Sequence, residues 1–122
     1  MRIPILQLKK TLLASIQTDL SDDDALQFQQ DLVERSRDSG ASGVVIDITA
    51  LDVVDSFMAR VLNDTANMVR LVGAEAVVCG MQPAVALTLV EMGRELVGVE
   101  TALNLDQAVD RLEALVASRS SA

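Results

Sequence analysis

The stretch at residues 43–64, GVVIDITALDVVDSFMARVLND, constrains the fold of this chain more than any other. Residues 44–48 form a β-branched apolar run of the kind that makes a buried strand. A helical pattern follows, in which apolar side chains recur every three or four residues from Met58 to Val72. A buried strand that leads into an amphipathic helix is the basic unit of an α/β domain.

Asp55 and Ser56 stand where the connection between this strand and this helix ends. Side-chain oxygens at such positions accept hydrogen bonds from the unpaired N–H groups of the first turn, so the pair is first interpreted as a helix cap. The alternative is that Ser56 is a phosphorylation site, because a helix N-terminus presents free N–H groups and partial positive charge to a phosphate. On physical grounds alone, capping is the commoner role.

The other elements are predicted from periodicity and turn residues. They are strands at 3–8 and 11–17, a helix between Ser21 and Gly40, strands at 75–81 and 97–99, and helices at 83–92 and 105–116. Only Lys9 and Lys10 separate the first two strands, which must therefore be antiparallel neighbours. Asn104 or Thr101 stands near the cap of the last helix.

The length of 122 residues fits one domain with a modest core. We expect residues 1–116 to form that domain and residues 117–122, with three serines, to be a frayed tail. An opening hairpin followed by alternating helices and strands predicts an α/β fold. Helices on both faces would make a doubly wound sheet, and the pattern leaves open which sheet face is dry.

Composition excludes several classes of function. The net charge of −8 argues against nucleic-acid binding and suits either a basic protein partner or simple solubility. The chain has no His, which removes the usual general base and the commonest metal ligand. Its one cysteine, Cys79, follows apolar residues in a strand pattern and is interpreted as a buried hydrophobe. No signal peptide or membrane span is evident, so a cytoplasmic protein is expected.

Two helical surfaces invite a functional interpretation. Residues 83–92 leave hardly any polar side, so this helix is either buried or packed on another subunit through Val85, Leu89 and Met92. The helix after Ser56 has a polar stripe that begins one turn further on, which without other information is a solvated face. That stripe consists of Arg60, Asn63, Asp64 and Asn67.

Three segments, VVIDITALDVVDSFMARVLND, VGAEAVVCGMQPAVALTLVEMG and VETALNLDQAV, together resemble the STAS domain family of anti-sigma-factor antagonists. The resemblance covers Ile3 to about Leu112 and is closest to the RsbS-type antagonists, the small scaffold subunits of the bacterial stressosome. It implies a central mixed β-sheet that opens with a β-hairpin, with the helices packed mainly on one face.

The resemblance also implies a function for Ser56, which matches the serine that a switch kinase phosphorylates in this family. The unphosphorylated antagonist sequesters that RsbT-type kinase within a complex that contains RsbR-type sensor subunits, and phosphorylation releases it. The implied kinase-facing residues are Asp55, Ser56, Arg60, Asn63, Asp64 and Asn67. The expectation is a non-catalytic scaffold with no cofactor or metal, acting as a homo-oligomer or within a large hetero-oligomer.

Two other classes of function remain as alternatives. An enzyme would use Ser56 or Cys79 with nearby aspartates, but a GxSxG elbow, a GxxxxGK[ST] loop and any His are missing. A phosphoacceptor of response-regulator type would carry phosphate on Asp52 or Asp55 and would need an acidic Mg²⁺ site with a lysine nearby. No lysine follows Lys10, which counts against that alternative.

Overall fold

The structure, a computed structural model, describes residues 3–91 and 99–120. Five strands and four helices lie within these residues. In chain order they are β1 (Ile5–Leu8), β2 (Thr11–Ser15), α1 (Asp22–Ser39), β3 (Gly43–Asp47), α2 (Ser56–Leu71), β4 (Glu75–Cys79), α3 (Pro83–Glu91), β5 (Glu100–Ala102) and α4 (Leu105–Ser120). The alternation confirms the predicted α/β class.

The strands form one mixed sheet in the order β1-β2-β3-β4-β5. Strand β1 is antiparallel to β2, as the two-residue turn at Lys9 and Lys10 requires. The pairs β2–β3, β3–β4 and β4–β5 are parallel. The chain segments that join them contain α1, α2 and α3 respectively, as parallel strands need a crossover connection. The predicted opening hairpin and mixed sheet are therefore confirmed, and the C-terminal ends of β2 to β5 share one edge of the sheet.

One face of the sheet packs against α1, α2 and the buried side of α3. Alternate residues of β2, β3 and β4 point to this side, as a pleated strand requires. Phe28 and Leu32 of α1 and Leu62 of α2 are the largest helix side chains that the layer buries completely. This layer holds the main hydrophobic core.

On the opposite face, α4 is the one helix that packs on the sheet within residues 3–91 and 99–120. Ala108 and Leu112 of α4 pack on Val45, Val77 and Cys79, which makes a second, smaller core. The helix can lie this close because position 43 is glycine, where a Cβ atom would lie 2.5 Å from a methyl group of Leu112. The helices thus lie mainly on one face of the sheet, as the resemblance implied. The central strands β3 and β4 are buried on both faces.

Helix caps follow the sequence signals. Ser21 Oγ accepts a hydrogen bond from the Asp24 amide at 3.1 Å, so Ser21 caps α1, and the helix starts where it was predicted to start. Asn104 Oδ1 accepts from the Gln107 amide at 2.9 Å, which decides for Asn104 over Thr101 as the cap of α4.

Two predicted boundaries are wrong. Of the edge strand expected at 97–99, residues 97 and 98 lie outside the described residues and Val99 is not in a strand. The described strand is β5, which spans Glu100–Ala102 and pairs Glu100 with Val77 of β4. The last helix continues to Ser120 rather than ending near Val116. Arg119 holds that end in place, since its guanidinium lies 3.2 Å from the Glu75 carboxylate and donates to the Gly73 carbonyl.

Helix α3 is only partly as predicted. Val85 and Leu89 are buried within the domain's own core, so they are not available to another subunit. The large apolar side chains that α3 exposes are Leu87 and Val90. Met92, the third residue proposed for that contact, lies outside the described residues.

Over 3–91 and 99–120, no helix combines the length and the apolar character that a bilayer span needs.

The position of Cys79 in the smaller core gives a testable prediction. Desolvation, with a smaller effect from the nearby Asp47 charge, raises the pKa of the Cys79 thiol to about 11. Since the thiolate is the reactive form, we expect alkylation by iodoacetamide at pH 8 to be at least about 100-fold slower in the native protein than in urea. Mass spectrometry over time measures both rates, with Cys79→Ser as the unlabelled control. Equal rates in the two conditions would contradict the buried position.

Candidate functional site

The connection from β3 to α2 lies at the C-terminal edge of the sheet, where ligand sites of parallel α/β sheets are commonly found. The Ile48 amide donates to the Cys79 carbonyl at 2.9 Å, which extends the β3–β4 pairing by one residue. Leu51 and Val54 are buried and attach the connection to the core. Between them, Val53 is 68% exposed. The connection is therefore fixed at two points and presents its remaining side chains outward.

Polar contacts hold the first part of this connection. The Asp47 carboxylate accepts hydrogen bonds from the Thr49 amide at 2.9 Å and from the Thr49 hydroxyl at 2.6 Å. Gln82, the residue before α3, donates its side-chain amide to the Thr49 carbonyl at 2.8 Å and to the Asp52 carboxylate at 3.2 Å. The connection that leads to Ser56 is thus linked to the start of α3.

Gly80 makes this arrangement possible. Its backbone has φ = +79°, a conformation that residues with a Cβ atom adopt at a cost. A Cβ at this position would also collide with the Thr49 hydroxyl. Glycine is therefore required where β4 turns away beside the β3–α2 connection.

Asp55, and not Ser56, is the cap of α2. The Asp55 carboxylate accepts a hydrogen bond from the Met58 amide at 2.7 Å, and the Asp55 carbonyl accepts the first helical bond from Ala59. Ser56 is the first residue of the helix, and its side chain is exposed. Among the described residues the Ser56 hydroxyl has no hydrogen-bond partner. The interpretation of the pair as a cap is confirmed for Asp55 and is wrong for Ser56.

The surroundings of Ser56 combine two opposite electrostatic effects. The first-turn amides of Ser56 and Phe57 have no acceptor in the described part of the chain, and with the helix dipole they favour a negative charge. The carboxylates of Asp52 and Asp55 are both exposed, and their charges disfavour an additional negative charge at Ser56. The nearest cation on the same side of α2 is Arg60, one turn further along.

The predicted polar stripe lies on the same side of α2 as Ser56, because its residues are spaced by three and four. Arg60 and Asp64 are exposed, whereas Asn63 and Asn67 are half-buried. The Oδ1 atom of Asn63 is itself buried and has no hydrogen-bond partner in the part of the chain described. The stripe is thus continuous, and Arg60 and Asp64 are its most exposed side chains.

A hollow beside Ser56 was not predicted from the sequence. It lies between the end of the β2–α1 connection, at Asp19 and Leu20, and the β3–α2 connection, at Val53 and Asp55. Val53 was missed because it sits among apolar residues that include the buried Leu51 and Val54. No sequence signal separates the exposed residue from its buried neighbours.

The aspartates that the alternative functions would use are committed to structural contacts. Asp47 is bonded to Thr49, Asp52 to Gln82, and Asp55 to the Met58 amide. Over the described ranges, no three His, Cys, Asp or Glu side chains are grouped so that they could hold a metal ion. The acidic Mg²⁺ site that a response-regulator mechanism needs is therefore not formed by these residues.

The chain is similar to known proteins in sequence and in fold. RsbT co-antagonist protein RsbRA of Bacillus subtilis is 38% identical over 66 residues, which are 54% of this chain and 24% of that protein. The chain therefore spans about a quarter of that relative.

Solved structures match over nearly the whole chain. Moorella thermoacetica RsbS, as a serine-to-glutamate variant, is 40% identical with a TM-score of 0.82, and 94% of this chain and 97% of that chain are covered. A chain from the molecular architecture of the stressosome is 42% identical with a TM-score of 0.79, covering 92% and 97%. The model of the STAS domain matches residues 2–108. With that match, and with the mixed sheet and helix layers described above, the chain belongs to the STAS domain family.

Proposed function

We propose that this chain is a non-catalytic, cytoplasmic scaffold of a stressosome-type complex. It binds a serine kinase of RsbT type through the surface around Ser56 and releases that kinase when Ser56 is phosphorylated. The kinase-facing residues are Asp55, Ser56, Arg60, Asn63, Asp64 and Asn67. We propose no enzymatic activity for the chain itself.

One observation carries the proposal: the Ser56 hydroxyl is exposed at the first turn of α2 while Asp55 does the capping. A serine that capped the helix would have to give up its hydrogen bond to be phosphorylated, and the helix would lose stability. Here a phosphate can be added to Ser56 or removed from it without breaking the hydrogen bond between Asp55 and the Met58 amide. Such a position suits a modification that changes a surface and leaves the fold intact.

A phosphate on Ser56 would act mainly on a partner. For folding, the favourable helix N-terminus and the unfavourable carboxylates of Asp52 and Asp55 offset each other in part. For binding, nearly two negative charges would be added to a surface that otherwise presents a neutral hydroxyl beside Arg60 and Asp64. A kinase surface complementary to the unmodified site would then meet a charge it does not balance.

The assembly part of the proposal rests on similarity. The two solved structures named above come from RsbS and from the stressosome, at 40% and 42% identity over nearly the whole chain. The relative named as an RsbT co-antagonist supports RsbR-type STAS subunits as partners. In this chain, Leu87 and Val90 on α3 are exposed apolar side chains of the kind that subunit contacts bury.

The response-regulator alternative is tested with acetyl phosphate and Mg²⁺. Because Asp47, Asp52 and Asp55 are engaged in structural hydrogen bonds, we expect no aspartyl phosphate to form and no ATP hydrolysis by the protein alone. Intact-mass spectrometry detects the acyl phosphate before it hydrolyses. Stoichiometric labelling on an aspartate would replace the scaffold proposal with the response-regulator one.

Stability measurements separate the cap from the switch. We expect Asp55→Ala to lower the free energy of unfolding by about 1 kcal/mol, because it removes the acceptor of the Met58 amide. Ser56→Ala should change it by less than about 0.5 kcal/mol, because the hydroxyl makes no bond among the described residues. Urea denaturation of the three proteins measures both changes. A larger loss for Ser56→Ala than for Asp55→Ala would mean that Ser56 is the cap.

Kinase binding gives the direct test of the switch. Ser56→Ala should bind an RsbT-type kinase and resist phosphorylation, whereas Ser56→Asp should bind it more weakly. The effect of Ser56→Asp is expected to be partial, since aspartate carries one charge and a phosphate nearly two. Ser118→Asp, which adds the same charge to an exposed position of α4, is the matched control and should bind like the wild type.

Calorimetry measures these affinities, and mass spectrometry after incubation with kinase and ATP locates the phosphate. Phosphate on another residue, or equal affinity of Ser56→Ala and Ser56→Asp at equal folding, would remove the switch from the proposal.

The exposed side of α3 is tested by Leu87→Glu. Leu87 is 60% exposed, so the charged side chain should leave the fold intact while weakening co-assembly with an RsbR-type subunit. Leu26→Glu on α1, where the leucine is 47% exposed, serves as the control for a surface charge. Co-sedimentation with the purified partner measures assembly. Unchanged co-sedimentation of Leu87→Glu would exclude this side of α3 from the contact.

A further inference from the structure

The hollow beside Ser56 is a place where the main core reaches the surface. Its apolar lining consists of Leu20, Leu51, Val53 and Met58. Leu51 is 2% exposed and Met58 is 9% exposed, so these two belong to the core and form the inner wall of the hollow. Val53 is 68% exposed and stands at the rim. A protein that covered Val53 would therefore extend the core of this domain outward.

The backbone around Val53 is held in place on both sides. The Leu51 amide donates a hydrogen bond to the Ile48 carbonyl at 3.0 Å. The Asp52 carboxylate accepts one from the side-chain amide of Gln82 at 3.2 Å. An exposed apolar side chain on a fixed backbone loses little conformational freedom when a partner covers it. Val53 is thus prepared for a contact before any partner arrives.

The size of the hollow indicates what it can hold. Its volume is about 200 Å³. Sites for small-molecule ligands commonly measure about 300 to 1,000 Å³, so the hollow is below that range. It is several times larger than the share of one water molecule in the liquid, which is about 30 Å³. A single apolar side chain from a protein partner is the occupant of fitting size.

Carboxylates surround this apolar hollow. Asp19 and Asp55 line it, and Asp52 is exposed on the same connection as Val53. Two further exposed carboxylates, those of Asp22 and Asp23, stand at the start of α1. Within the part of the chain that is described, no Lys or Arg lines the hollow. Such a rim attracts Lys and Arg side chains of a partner and repels acidic ones.

We propose that the hollow is a docking site for the kinase, which inserts one apolar side chain from a segment that also carries Lys or Arg. The apolar side chain covers Val53, and the basic side chains meet Asp19 and Asp52. This inference rests on the proposed function and deepens it, because it separates the residues that hold the kinase from the serine that the kinase modifies.

The position of the hollow favours the kinase as its occupant. Asp55 borders the hollow and is followed directly by Ser56. A kinase that brings its active site to the Ser56 hydroxyl therefore also covers the hollow. A second copy of this chain fits less well. The net charge is −8, and two copies that met here would place carboxylates against carboxylates.

A docking contact has a kinetic signature that a purely structural role lacks. The contact at Val53 involves neither the Ser56 hydroxyl nor the transferred phosphate, so it is made equally before and during the transfer. Loss of such uniform binding raises KM and leaves kcat unchanged. The kinase reaction on Ser56 therefore reports on the hollow separately from the chemistry.

The first experiment measures affinity for a purified RsbT-type kinase by calorimetry. All variants carry Ser56→Ala, so that no phosphate can be added during the measurement. We expect Val53→Glu to weaken binding at least about tenfold. Leu71→Glu is the matched control and should bind like the parent, because Leu71 is 86% exposed at the far end of α2. Circular dichroism of each variant confirms that it is folded.

The second experiment measures the rate of phosphorylation with Ser56 in place. We expect Val53→Glu to raise KM roughly tenfold and to change kcat by less than about twofold. Asp19→Lys should raise KM roughly threefold to tenfold, and this effect should shrink as salt is added. Asp110→Lys, the same charge change at an exposed position of α4, is the control and should leave both constants unchanged.

Each outcome supports the docking site or overturns it. Weaker binding and a higher KM at unchanged kcat for Val53→Glu support it. Unchanged affinity overturns it, and so does a loss confined to kcat. If Val53→Glu instead weakens co-sedimentation with an RsbR-type subunit and leaves kinase affinity unchanged, the hollow belongs to a subunit contact and the inference is wrong.

The same measurements distinguish failure of this inference from failure of the proposed function. A kinase that binds the wild type and ignores Val53→Glu removes the docking site alone. A kinase that does not bind the wild type removes the proposed function and the docking site together. Equal affinity of Ser56→Ala and Ser56→Asp removes the switch and leaves the docking site standing.

Discussion

Strand β3 is buried on both faces, and the other layers are arranged around that requirement. Val44 and Ile46 face the main core with α1 and α2, while Val45 faces α4. A strand without a wet side also needs backbone partners along both edges, and β2 and β4 supply them. Because these neighbours are parallel, the C-terminal ends of the central strands meet at one edge, and Ser56 lies there.

Much of this framework could be predicted from the sequence because it depends on local patterns. The β-branched run at 44–48, the apolar run of β4 and the spacing of α2 identify the buried elements. The elements that were misplaced depend on distant contacts instead. The extension of α4 to Ser120 follows from the Arg119–Glu75 ion pair, and the start of β5 follows from its ladder with β4. The sequence also showed that α3 is apolar on nearly all sides. It did not show which side of α3 packs against the core.

The cap of α2 was predicted in the correct helix turn, but the sequence did not divide the roles of Asp55 and Ser56. Asp and Ser both cap helices, so the sequence alone could not assign the cap to Asp55 and leave the Ser56 hydroxyl free. The contact of Gln82 with Thr49 joins residues 33 positions apart, and no local pattern marks it. The exposure of Leu6 and Leu8 on β1 could not be predicted either. The apolar residues at 3–8 do not alternate regularly, so the sequence did not show which of them face the core.

The position of Gln82 has a mechanical consequence. Its side-chain amide holds the connection before Ser56, while its backbone leads directly into α3, whose Leu87 and Val90 face outward. A displacement of α3 that carried Gln82 away would leave the Thr49 carbonyl and the Asp52 carboxylate without these donors. Whatever holds α3 in place therefore also favours the present shape of the connection. Thermodynamic reciprocity then requires that a ligand selecting this shape stabilise the same placement of α3 by an equal free energy.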